Sequence, residues 1–115
     1  MAIVRLAAAA LFTSLSLAAA AAEPRAPAAG QRLGSCSVGE LSCTDFEKGV
    51  GSEAKAACVK YKLVWSEKAC PAKKVIGTCV KKEGAGLSYT HSYAPGTPAT
   101  AKQACANTPG GAFVP

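Results

Sequence analysis

The sequence predicts an α+β fold: a small disulfide-rich domain built from two tandem ββαβ-like repeats after a signal peptide. Three observations predict it. Six cysteines lie between residues 36 and 105 of a 115-residue chain. The stretch from Gly34 to Trp65 returns, in the same order, from Gly77 to Phe113. An apolar run without charge, Leu6–Ala22, stands at the start.

Met1–Arg5 is short and positively charged, and Ala20-Ala21-Ala22 offers the small residues a signal peptidase reads. Residues 1–22 therefore read as a secretory signal. Ala is a weak contributor to membrane insertion, so no stable membrane span is expected after cleavage. Residues 23–33 are Pro/Ala-rich and read as a flexible leader. Residues 34–115 are the disulfide-rich domain, with repeat one at 34–70 and repeat two at 77–115. "LGSC" (Leu33–Cys36) superficially matches a lipidation site, but "PRAPAAGQR" separates it from the apolar run.

The repeat is read from ordered matches. Gly34–Cys36 (GSC) returns as Gly77–Cys79 (GTC), offset by 43. Leu41–Thr44 (LSCT) returns as Leu87–Thr90 (LSYT), offset by 46. Ala54–Cys58 (AKAAC) returns as Ala101–Cys105 (AKQAC), offset by 47, and Trp65 returns as Phe113, offset by 48. The offset grows in one direction, and the extra residues fall in Gly/Pro-rich turns, where a duplicated unit tolerates them.

Each element then follows. "SCSV" and "LSCTDF" form a hairpin around Gly39-Glu40. Ser52 caps a helix with Ala54, Ala57 and Cys58 on one face. Leu63–Trp65 is the next strand. Val75–Val80 is β-branched and apolar. Leu87–Tyr93 alternates, with Leu87, Tyr89, His91 and Tyr93 on one side and Ser88, Thr90 and Ser92 on the other. Thr97-Pro98 opens the second helix, whose packed face carries Ala101, Ala104 and Cys105. Ala112–Val114 closes the domain as a strand. Small residues on both helices are expected to let them lie close on the sheet.

An even number of cysteines in a short exported chain reads as a disulfide framework. Equivalent pairs in the two copies should form equivalent bonds, which gives Cys36–Cys58 and Cys79–Cys105. Cys43 and Cys70 remain. Tyr89 replaces Cys43 in the second copy, and the counterpart of Cys70 would fall beyond Pro115, so Cys43–Cys70 is the third bridge. A bonded sulfur is no nucleophile. No C-x-x-C spacing exists and His91 is the only histidine, so no metal or other cofactor is expected.

The net charge is +6, with lysines scattered along the chain. That pattern reads as a solvated surface, or as attraction to an anionic cell-envelope polymer. No alternation of basic and aromatic residues marks a nucleic-acid platform. His91 is the one general-base candidate near neutral pH. Ser88, His91 and Asp45 supply the residue types of a triad, without a nucleophile elbow or oxyanion motif beside them. The carboxylates show no converging pair, and "GAG" and "PGG" read as turns. Tyr89, His91 and Tyr93 are expected to pack in the core against the helices, since aromatics dominate small cores, with a binding surface that stacks sugars as the alternative use.

Taken together, a G-x-C strand, an aromatic strand, an A-K-x-x-C helix and G-G-x-aromatic, with C-P after the first copy, form a pattern. It resembles short cysteine-rich exported bacterial proteins of uncharacterised function, over about Gly34–Pro115. The resemblance implies no activity and carries no functional residues across. The first copy departs from it: "KYKLVW" stands where the glycines would be. The expectation is a secreted or periplasmic module without enzymatic activity, binding an unidentified ligand or serving structurally. The alternative is a secreted effector or inhibitor acting on another protein.

Overall fold

A computed structural model describes residues 24–115. The expected signal peptide, residues 1–22, lies outside the described residues. Six strands form one antiparallel sheet in the order β3-β1-β2-β5-β4-β6. They are β1 (Arg32–Val38), β2 (Ser42–Glu47), β3 (Val64–Ser66), β4 (Val75–Glu83), β5 (Gly86–Tyr93) and β6 (Gly111–Val114). Helix α1 (Glu53–Lys60) precedes β3, and α2 (Pro98–Ala106) precedes β6. A single 3₁₀ turn, Lys48–Val50, links β2 to α1. The chain thus runs β-β-α-β and then β-β-α-β, with β2 and β5 paired at the centre of the sheet.

Register decides what each face carries. Cys36 pairs with Thr44, Thr44 with Thr90, and Thr90 with Cys79. Directly paired residues point the same way, so this row lies on one face. Cys36 is bonded to Cys58 of α1, and Cys79 to Cys105 of α2. Both helices therefore cover that face. The opposite face carries Cys43, Asp45, Glu47, Tyr89, His91 and Tyr93. Cys43 is bonded to Cys70, which ties the segment between β3 and β4 over it. The three bridges have the pairing expected from the sequence, and no described cysteine is free.

The core is small and rich in sulfur. Its buried hydrophobic residues are Cys36, Cys43, Cys58, Tyr89, Tyr93, Ala101, Cys105 and Val114. Half of these are cysteines, so the apolar burial that stabilises larger domains is scarce here. Loops of 22, 27 and 26 residues are closed instead. In the chain-entropy account each closure contributes on the order of 3 kcal/mol.

Local differences from the sequence reading have identifiable causes. β1 begins at Arg32, so it takes in the last two residues of the expected leader; Pro27 is also buried. β4 runs on to Glu83, and the hairpin narrows to Gly84-Ala85, with Gly84 at φ +60°. Thr97 caps α2, its hydroxyl accepting from Thr100 N–H at 3.2 Å. Ser52 makes no such bond: its own backbone is already helical, and Gly51 at φ +98° has made the turn. At the end of α1, Lys62 adopts φ +60°. At the offset of 48 by which Trp65 matches Phe113 stands Gly110, at φ +79°. A lysine thus occupies the left-handed position that a glycine fills in the second half.

Candidate functional site

The alternation of β5 puts Tyr89, His91 and Tyr93 together on the face opposite the helices. All three are buried, Tyr89 and Tyr93 to within 2% of completely. They do not form an open stacking surface; they pack under the segment held by Cys70. Tyr93 O–H donates to the Pro71 carbonyl at 2.9 Å, and the Lys73 ammonium lies 4.8 Å from its ring centre. Tyr89 O–H donates to Glu47 at 3.0 Å. Burial, then the Glu47 bond and charge, push the Tyr89 hydroxyl up to about 12. Burial and the Asp45 charge also raise Tyr93.

His91 meets a carboxylate and a hydroxyl. Its Nε2 donates to Asp45 Oδ2 at 2.9 Å, and its Nδ1 lies 2.9 Å from Thr78 Oγ1. Asp45 Oδ1 accepts from Arg32 Nε at 3.2 Å and from Cys70 N–H at 3.0 Å. Burial alone would raise the Asp45 carboxyl. The His91 and Cys70 hydrogen bonds, with the His91 and Arg32 charges, outweigh it and hold the group below its ordinary value. Ser88, the hydroxyl that the sequence offers for a triad, points to the other face, in line with Phe46 and Lys81.

This cluster has the composition of a triad, but its hydroxyl is buried and its polar atoms are already bonded to one another and to the chain. Thr78 is 1% exposed and sits in the middle of β4. A cavity of about 340 Å³ opens beside it, lined by Asp45, Thr78 and His91 themselves together with Arg25, Arg32 and Pro71. Both ring nitrogens and both carboxylate oxygens are already engaged. A nucleophile needs a hydroxyl that a substrate can approach, with donors for the developing oxyanion. What is present is a satisfied polar core, which fixes the loop and the sheet to one another. Asp45, Cys70 and His91 also place potential metal-binding atoms within 4.8 Å of one another. The Cys70 sulfur is bonded to Cys43 and has no thiolate to offer.

The open site is on the helix face. α1 and α2 do not close over the middle of the sheet. Between them runs a groove of about 730 Å³. Its floor is the row Cys36, Thr44, Thr90 and Cys79, and its walls include Ala54, Ala57, Ala101 and Ala104. Ala57 and Ala104 are exposed, although the helix pattern puts both on the packed side. Their methyl groups are too small to fill the space, so the expected close fit holds only at Cys58, Ala101 and Cys105. The volume is that of a small-molecule site, and the lining is predominantly apolar.

No family model, curated protein or solved structure matches this chain. Function must therefore be read from its own geometry.

The groove has two unlike ends. One end holds Val38, Tyr61 and Leu63; the other holds Lys81 with Glu53 and Glu83. Sheet register separates them: Val38 pairs with Ser42 in one row, while Phe46, Ser88 and Lys81 form another. The sequence reading missed this site because a groove is defined by side chains too short to meet. It also missed Thr78. A signal for that residue was present in the middle position of G-x-C, which is Ser35 in one copy and Thr78 in the other. Both point away from the helices, Ser35 Oγ donating to the Lys68 carbonyl at 2.8 Å.

Proposed function

We propose that this chain is an exported, disulfide-clamped binding module without catalytic activity, and that it takes its ligand in the groove between α1 and α2. The observation that carries this is the groove itself. A predominantly apolar space of about 730 Å³ stays open in a domain that has little core to spare. Export is supported by the apolar start of the sequence and by three bridges of the kind found in oxidising compartments. Among the described residues, no helix is long and apolar enough to cross a membrane. The absence of catalysis is supported by the burial of Thr78 and by the hydrogen bonds that already engage His91 and Asp45.

Two tandem ββαβ units, 34–70 and 77–115, are part of the same reading. Its support is the repeated element order and a shared contact. A side chain at Gly34 would collide with the Trp65 ring, and one at Gly77 with the Phe113 ring. Thr44 and Thr90, one repeat offset apart, bond to each other at 2.8 Å.

The test is binding of an apolar fluorescent dye, anilinonaphthalene sulfonate, to the folded protein and to Ala57→Trp and Ala104→Trp. Both positions are exposed and line the groove. Dye binding that is lost in these variants, with thermal unfolding unchanged, supports the groove. Equal binding in all three proteins removes it.

The alternative, an effector or inhibitor of another protein, is favoured by a separate observation. Val38, Leu41, Val59, Tyr61 and Val64 are large hydrophobic residues left exposed in the first half. Salt-insensitive capture of one defined protein, abolished by Val59→Ser outside the groove, would support it.

A further inference from the structure

We propose that the groove holds an alkyl chain whose zwitterionic head group rests at the Lys81 end; this rests on the reading of the groove as the binding site. Three observations lead there. The floor has little to offer a polar ligand. Its strands are interior, with backbone groups paired to neighbours on both sides. Its central hydroxyls, Thr44 and Thr90, bond to each other, and its other hydroxyls, Ser88 and Ser92, lie toward its two ends. Burying an amide or hydroxyl against such a floor leaves it without a partner, which is costly. A peptide or sugar is therefore a poor occupant and a hydrocarbon a good one.

The ends supply direction. Val38, Tyr61 and Leu63 suit the tail. Lys81, Glu53 and Glu83 put both signs of charge at the opposite end. No salt bridge among the described residues ties Lys81 to either glutamate. A head group carrying a phosphate and a quaternary ammonium complements this mixed end. A purely anionic head meets two carboxylates, and a purely cationic one meets the lysine.

The experiment is calorimetric titration of the folded protein with alkylphosphocholines of increasing length, each below its micelle-forming concentration. Affinity should tighten about fourfold per added methylene until the groove is full, the increment expected for burying one CH₂. Alkyl sulfates and alkyltrimethylammonium salts of equal length should bind about tenfold more weakly. Lys81→Ala should weaken the phosphocholine series at least fivefold and leave an alkyl alcohol of the same length unchanged. Affinity independent of chain length overturns the proposal. So does equal or tighter binding of either singly charged series. If the fluorescent dye still occupies the groove while no alkyl chain binds, this proposal fails and the groove reading stands. If dye and chains both ignore Ala57→Trp and Ala104→Trp, the groove reading itself has failed.

Discussion

Asp45 and His91 stand 46 residues apart in the chain and meet at 2.9 Å in the core. That separation is the offset at which Leu41–Thr44 returns as Leu87–Thr90. The two residues thus hold the same rank in the two halves. They meet across the central β2–β5 pairing, as Thr44 and Thr90 do on the other face.

The pair makes the fold sensitive to acid. The Asp45 carboxyl lies below its ordinary value of 3.8 in the folded protein. A depressed carboxyl contributes stability that is present above the unfolded value and is lost as pH falls through the folded one. Urea unfolding should therefore show stability falling steadily below about pH 4. In Asp45→Asn that slope should flatten, with lower stability at neutral pH. An unchanged slope would remove Asp45 as its origin.

The opposite limit is set by Tyr89. Its hydroxyl is raised to about 12, through burial and then Glu47. A group raised in this way contributes stability present below the unfolded value of about 10, lost as pH climbs through the folded value. Absorbance titration near the phenolate band should find Tyr89 still protonated at pH 11. Glu47→Gln should bring its titration down, because it removes the negative charge beside the hydroxyl.

Gly34 and Gly77 each lie against an aromatic ring. Gly34→Ala should cost about 1–3 kcal/mol by overpacking against Trp65, and Gly77→Ala a similar amount against Phe113. Gly39→Ala serves as a contrast, since nothing lies near its added carbon and only its φ of +58° is strained. Denaturant midpoints of the three variants decide whether contact or conformation dominates.

Lys62 holds a positive φ without the freedom of glycine. Lys62→Gly should stabilise the protein by about 0.5–1 kcal/mol, because a left-handed L-residue is strained by about that much or more. Lys62→Ala, which keeps the strain, should change stability little. A loss on Lys62→Gly would mean that the lysine side chain, rather than its backbone, matters.

Much of the framework was legible because the ordered sequence matches restrict it. Matching Cys36 to Cys79 and Cys58 to Cys105 is what reduced the pairings to one, and the strict alternation of β5 placed its two faces. The use of those faces was less legible. Tyr89 and Tyr93 read as core packed against the helices; they are buried, but on the opposite face, under the Cys70 segment. That segment has no periodic pattern to announce its position. Thr78 sat unnoticed because its partner is thirteen residues away across a bulged strand pair. The groove was hidden for a different reason: Ala57 and Ala104 follow the pattern of a packed helix, and only three-dimensional spacing reveals that nothing meets them.

The sulfur links also have a consequence for how the molecule comes apart. Two join residues at or before Cys70, and the third joins residues from Cys79 onward. None spans the seam between β2 and β5. A protease that cuts once at Lys73 or Lys74, both exposed, would leave a nicked molecule still assembled in buffer. In denaturant, with no reductant added, it should fall into two separate peptides, each still cross-linked within itself.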